Sequence, residues 1–535
     1  MKHSILSLTV VALAAAAAHA QVSRPQASDE QGVDGAPPAL TAIEPAELLR
    51  ADPLAAELAP PFLEDALRLR RVRLQPETVR RLSASAEGGF EAGALTVEFF
   101  PGEAWRLVPE RWVRTGDRAF TASGSVEGRR LARWSMASRG GVVLVNLRPG
   151  DGTLLSLRTG PDGLPLATQT RPLPGHRCGN ELGLPSAPHL VRQWGPPAGA
   201  AGGDDGGPLV PKANTILQLL VVMTPSAVAQ LGGGLAARTA VELAVEEGND
   251  VFANSAVSAQ WQLEAACQVP YNEGSNTHST HLSRLTNSND GFMDDVHEWR
   301  GVLHADFVAL IVNDTDTVPA PGGGTTSTLG LAWVQPPAPT PWNGPFCTID
   351  QSAMVGNLTL PHELGHNMGI NHDLASNPGT VPITEDAYGW LFTGNTQGNL
   401  RTVMGTGNAT RIPFYSNPLV KFDGQATGQP SALFQTGADA ASALNGNLFL
   451  YSQMGFSTLP TDLGGSFCNF SAGPIQMGLF NTPFDKLLES VLQVGAPGGG
   501  VYVGHGGNTT ETPLLWFERR IEVDSNDPAP FTVGG

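Results

Sequence analysis

The stretch Pro361-His362-Glu363-Leu364-Gly365-His366-Asn367-Met368-Gly369-Ile370-Asn371-His372-Asp373 decides the fold. Residues four apart lie on one face of a helix, so this spacing predicts that His362 and His366 reach one metal ion together. Glu363 sits beside them, off the ligand spacing and placed to handle the proton of a water. Gly369 suits a left-handed turn that ends the helix, a conformation side chains resist. The chain then doubles back and delivers His372 as a third imidazole. Three neutral imidazoles and one open position are the donor set of a catalytic zinc, whereas a structural zinc fills all four positions with protein ligands. No nearby cysteine pair could fill them. A bare His-Glu-x-x-His also arises by chance on an amphipathic surface helix. Gly369 and His372 at these spacings make that explanation a poor one.

Further on, Thr402-Val403-Met404-Gly405-Thr406 puts Met404 in a turn-like context, although a methionine alone is more often an ordinary core residue. His-Glu-x-x-His-x-x-Gly-x-x-His followed by such a Met-turn resembles the metzincin metalloproteases. Asn367 and Asp373 make the pattern similar to the reprolysin/adamalysin branch and its secreted bacterial members. The resemblance extends over roughly 214–456, through Val222-Met223-Thr224-Pro225, Asp294-Asp295-Val296-His297-Glu298-Trp299-Arg300 and His304-Ala305-Asp306-Phe307-Val308. It implies an α/β catalytic domain: a mixed twisted sheet with helices, an active-site helix and a Met-turn. It further implies one catalytic Zn2+ held by His362, His366 and His372, Glu363 as the proton carrier, and a protein or peptide substrate cut at internal bonds.

By the same resemblance, Gly330-Leu331-Ala332-Trp333-Val334 is the edge strand above the zinc, where Leu331, Ala332 and Trp333 would pair with an extended substrate. An ordinary edge strand fits those residues equally well. Ile412-Pro413-Phe414-Tyr415-Ser416-Asn417-Pro418 looks like the wall of the specificity pocket. One position departs from some metzincin branches, which carry a ligand tyrosine two residues after the Met-turn methionine. Thr406 stands there, favouring a three-histidine site. His278 and His281 also have ligand-like spacing, but in what reads as a polar loop.

Outward from this motif, the 535 residues predict several domains, since single cores rarely exceed about 250–300 residues. The net charge of −18 argues against nucleic acid as the main partner. Segment 214–456 holds 6 basic and 20 acidic residues, so −14 of that charge belongs to the expected protease domain. Segment 21–213 is balanced and arginine-rich. One expectation is that its arginines seat it on the acidic domain.

Residues 1–20 read as a signal peptide: Lys2, an apolar run Ile5 to Ala18, then Ala18-His19-Ala20. The run is too short for a membrane span. Export to the extracellular space or periplasm follows. Residues 21–213 read as a β-rich propeptide, with a basic helix over Leu67–Leu82, short strands from about Ala94 to Thr168, and a Gly-rich linker at 194–213. Within 214–456, Ile216–Met223, Trp261–Val269 and Phe307–Val312 read as strands alternating with helices over Ala236–Ala253 and Met293–Leu303.

Cysteine arithmetic concerns Cys178, Cys267, Cys347 and Cys468. Gly175-His176-Arg177-Cys178-Gly179-Asn180-Glu181 resembles the cysteine switch of metzincin propeptides, in which a thiolate takes the open zinc position and keeps the enzyme latent. The competing reading is a disulfide at Cys178 in an oxidising compartment. With the switch, Cys267–Cys347 is the preferred bridge and Cys347–Cys468 the alternative. Residues 457–535 form an extension similar to the opening turn of a β-helix. A Ca2+ requirement would suit a secreted acidic domain, yet no loop has the ligand spacing for it. The expected molecule is a monomeric secreted zinc endopeptidase made as a zymogen, its propeptide acting as intramolecular inhibitor. The alternative is a non-catalytic metzincin-fold binding or adhesion protein.

Overall fold

A computed structural model describes residues 46–51, 66–84, 95–116, 119–160, 164–171, 215–314, 316–319, 325–335, 344–376, 382–430, 437–452, 454–456, 466–470 and 501–504. Residues 1–20, which read as a signal peptide, Cys178 and the Gly-rich stretch 194–213 lie outside the described residues, as does most of 457–535. In that last segment, the strands Ser466–Phe470 and Val501–Gly504 pair antiparallel.

Period-two alternation in the first region builds a barrel. Its strands are β1 (Ala46–Ala51), β2 (Ala66–Leu74), β3 (Leu95–Phe100), β4 (Glu103–Gly116), β5 (Ala119–Val126), β6 (Arg129–Arg139), β7 (Val142–Arg148), β8 (Leu154–Thr159) and β9 (Pro165–Thr170). Neighbours run antiparallel, except that β1 and β3 pair parallel to close the ring. Leu95, Val97, Phe99, Leu107, Trp134 and Met136 fill the interior, as closure of so narrow a barrel requires.

The helix expected over Leu67–Leu82 needs correction: its first half is strand β2, and only α1 (Pro76–Ala84) is helical. Backbone pairing to β1 and β9 on both sides outweighs the helix propensity of the Leu and Arg residues. Arg68 lies over the Phe100 ring and pairs with Glu103 at 2.6 Å, so the strand surface accommodates its guanidinium.

The second region contains β10 (Thr215–Met223), α2 (Pro225–Gln230), α3 (Gly234–Asn254), β11 (Ala259–Gln268), α4 (His278–Thr286), α5 (Asp295–Val302), β12 (Phe307–Val312), β13 (Asp316–Pro319), β14 (Thr325–Thr328), β15 (Gly330–Ala332), β16 (Phe346–Asp350), α6 (Gln351–Met354), α7 (Thr359–Asn367) and α8 (Ala440–Tyr451). Five of these strands form a mixed sheet in the order β11-β10-β12-β16-β15, in which only β15, at the edge, is antiparallel to its neighbour. β10 and β12 are interior and covered on both faces, which explains their unbroken apolar runs. Phe252, Trp261, Phe307 and Tyr415 interlock behind the sheet, with centroids 5.1 to 5.9 Å apart.

Neither expected bridge to Cys347 forms. Cys347 is free and buried, while Cys267 is disulfide-bonded. Cys267 on β11 and Cys347 on β16 are three strand spacings apart, roughly 14 Å, beyond the ~7 Å Cα reach of a disulfide.

Helix α3 lies between the sheet and the barrel. Glu242, Glu246 and Asp250 recur every fourth residue on one face, and that face meets β4 to β7. Arg139 pairs with Glu242 at 2.7 Å and Arg148 with Glu247 at 2.9 Å; Asn146 donates to Glu247 as well. Ala137 and Leu144 of the barrel join the apolar cluster of the second region. Arg111, Arg139 and Arg148 of the barrel thus pair with carboxylates of α3.

Beside a cavity of about 230 Å³ in this interface, the Ser123 hydroxyl lies 2.9 Å from Glu246 and 2.6 Å from Asp250. One hydroxyl has one hydrogen, so a proton on the carboxyl pair is needed to complete both contacts. Burial, then the Glu246 charge, pushes Asp250 up to about 8, against the Ser123 contact and the charges of Arg111 and Arg133. A carboxyl raised on folding stabilises the fold below its unfolded value near 4, and that contribution fades as pH rises through about 8. Urea midpoints measured from pH 5 to 9 should therefore fall for the native chain relative to Asp250→Asn. Parallel curves would refute the shared proton.

Candidate metal centre

Helix α7 carries the motif. Its last turn closes with Gly369 N–H donating to His366 O at 2.8 Å and Ile370 N–H to Gly365 O at 2.9 Å, with Gly369 at φ +82°. This is the paired hydrogen-bond pattern of a glycine C-terminal cap, as the sequence leads one to expect. The reversal brings His372 back over the helix. Its Nε2 lies 3.2 Å from Nε2 of His362 and 3.1 Å from Nε2 of His366, all three rings being buried.

The outer nitrogens define the tautomers. His362 Nδ1 donates to Val403 O at 2.7 Å and His366 Nδ1 to Ile370 O at 2.8 Å, so their Nε2 lone pairs face inward. Burial holds all three imidazoles below the ordinary histidine range. His366 falls to about 4, and Arg411 pushes every one of them further in that direction. They are neutral at pH 7, the state in which imidazole binds metal. Ligand atoms of His362, His366 and His372 all lie within 4.8 Å of one another, the one such group among the described residues. Convergent nitrogen lone pairs with backbone-fixed tautomers fit zinc.

Beneath the histidines, Thr402-Val403-Met404-Gly405 turns back on itself through Gly405 N–H to Thr402 O. Met404 is fully buried against α7: a Cβ on Gly365 would stand 2.6 Å from its sulfur. Tyr415 O–H donates to Pro361 O at 2.6 Å, tying the start of α7 to the aromatic cluster. Glu363 is fully buried beside β15.

With this geometry, the family comparison is decisive: residues 213–416 match the model described as Reprolysin_5, Metallo-peptidase family M12. The segment is similar to that metallopeptidase family. The peptidyl-Asp metalloendopeptidase of Stenotrophomonas maltophilia (strain R551-3) is 31% identical to it over 220 residues, 40% of this chain and 48% of that protein. The protein of the same name from Xanthomonas campestris pv. campestris is 30% identical over 216 residues, 40% and 47% of the respective chains. The chain thus spans about half the length of these relatives.

Within the matched segment, Asn367 and Asp373 have visible tasks. Asn367 Nδ2 donates to Trp333 O at 2.9 Å and Phe346 O at 3.0 Å, clamping the edge strand to the helix. Asp373 accepts from the N–H and hydroxyl of Thr406, at 3.0 and 2.7 Å, joining the His372 loop to the Met-turn. Thr406 therefore serves as a brace where other branches carry tyrosine. Arg401, which sequence reasoning did not single out, donates to Gly405 O at 2.6 Å and Ala409 O at 2.8 Å and stiffens the same turn. A lone arginine in a loop carries no signal of such a role.

Leu331 and Ala332 lie on the edge strand with buried side chains, and Trp333 Nε1 donates to Thr286 Oγ1 at 2.7 Å. His278 and His281 are buried on helix α4 rather than in a polar loop. His278 meets Thr348 and His281 meets Tyr271 and Asp314, so each ring is held by its own hydrogen bonds.

Proposed function

We propose that this chain is a secreted zinc endopeptidase made as a latent zymogen, cutting internal peptide bonds of protein substrates. The convergence of three neutral imidazoles beside Glu363 carries the reading. A zinc ion held by His362, His366 and His372 would supply Lewis-acid polarisation of the scissile carbonyl and acidify water. Glu363 takes the proton of the attacking water and passes it to the leaving amine. Gly330-Leu331-Ala332, at the sheet edge, offers backbone to an extended substrate, so its contribution is alignment rather than side-chain chemistry.

Relatives named for peptidyl-Asp cleavage support a preference for bonds beside aspartate. The positive charges of Arg411 and Arg401, close enough to act on His372, suit an acidic substrate side chain. Profiling the mature protein on a proteome-derived peptide library should give cleavage at such bonds, abolished by a chelator. Zinc-loaded protein that cuts nothing in the library would instead support the non-catalytic binding or adhesion reading, against which the retained Glu363 argues.

In the zymogen, residues 21–213 act as the inhibitor and 1–20 direct export. Among the described residues, no helix is long and apolar enough to cross a membrane. The barrel seats on α3, and Arg148 also donates to Gly356 O at 2.8 Å. Cys178 follows shortly after the last barrel strand and would fill the open zinc position. Cys178→Ala is expected to give premature activity or poor secretion; a well-secreted, still-latent variant would end the switch reading.

A further inference from the structure

Gly330 is the first residue of the edge strand β15, registered opposite Ile349. Its φ lies outside the left-handed region, so the backbone there makes no demand for glycine. The demand comes from a neighbour. A Cβ at Gly330 would stand 2.5 Å from Glu363 Oε1 and 2.8 Å from both Cδ and Cγ. Real Cβ atoms essentially never come within 3.0 Å of another heavy atom. Three atoms of one side chain are involved, so rotating the carboxylate end alone gives no relief. Glu363 is wholly buried, and burial first, then the Glu363 charge, raises the Cys347 thiol on β16. The Glu363 side chain thus lies along the bare backbone of Gly330, in space that any other residue would fill.

We propose that Gly330 is a positioning residue for proton transfer: its missing side chain sets where the Glu363 carboxylate sits. This rests on the endopeptidase reading for its effect on turnover, but the packing claim stands independently of it. A misplacement of about 1 Å in a reacting group can lower a rate by about 10²-fold.

The test is a double-mutant cycle with Gly330→Ala and Glu363→Asp, whose shorter chain withdraws from the crowded space. Gly330→Ala should keep one zinc per chain and a KM near the native value, while kcat falls about 10- to 100-fold. Against Glu363→Asp, the same alanine should cost less than about threefold. Unchanged kcat, a rise in KM alone, or equal losses in both backgrounds would overturn the proposal. A second cycle reads the thermal midpoint of zinc-loaded protein, with Gly330→Ala measured in the native chain and in Glu363→Ala. The alanine should lower the midpoint only where Glu363 is present; equal drops would overturn the placement. This readout works even if the native chain cleaves no substrate, so failure of the endopeptidase reading and failure of this one are separable.

Discussion

Glu363→Gln is expected to lower proteolytic kcat by about 10²- to 10⁴-fold while zinc content and fold persist. The substitution keeps the shape of a side chain of α7 buried against β15, so packing is preserved. It removes the one property the mechanism needs, a carboxylate that can accept and return a proton. His362 and His366 are oriented by Val403 O and Ile370 O rather than by Glu363, so metal binding should not follow the loss of activity. Cleavage of a quenched peptide, measured alongside zinc stoichiometry, separates the two. Native turnover in the glutamine variant would remove Glu363 from the reaction.

Glu242→Ala is expected to destabilise the full chain by about 3–5 kcal/mol, the usual cost of removing one partner from a buried ion pair. Glu242 is buried between Arg139, at 2.7 Å, and Arg238, at 3.1 Å, and both arginines are themselves buried. Without the carboxylate, two guanidinium groups face each other in a dry interface. Arg139→Ala should cost less, because Arg238 still neutralises Glu242. Urea unfolding of the two variants decides it: no loss in Glu242→Ala would show that the contact is dispensable, and an equal loss in Arg139→Ala would show that Arg238 does not neutralise Glu242. These pairs are buried, so salt should weaken them far less than it would surface pairs.

Much of the site was legible because its determinants are local. The spacing of His362 and His366 needs only helical periodicity, and Gly369 needs only the positive φ that its cap requires. The sheet strands β10, β11 and β12 were legible from apolar runs and alternation. β2 was misread because its Leu and Arg residues fit helix and strand patterns equally, and pairing to β1 and β9 settles the matter. The bridge to Cys347 was misjudged because cysteine counting contains no distances.

The sequence by itself determined the histidine triad, the helix that carries its first two members and the α/β character of the domain around it. All three follow from hydrogen bonds and periodicities spanning a few residues. Only the tertiary structure decided that the Glu242, Glu246 and Asp250 face lies under a barrel. A stripe of carboxylates every fourth residue is the pattern of a solvated helix face, and nothing within the helix says what will cover it. The space for Glu363 was likewise decided by β15, which approaches from more than thirty positions earlier in the chain. Burial and close approach depend on which distant segment arrives, and no window of sequence contains that information.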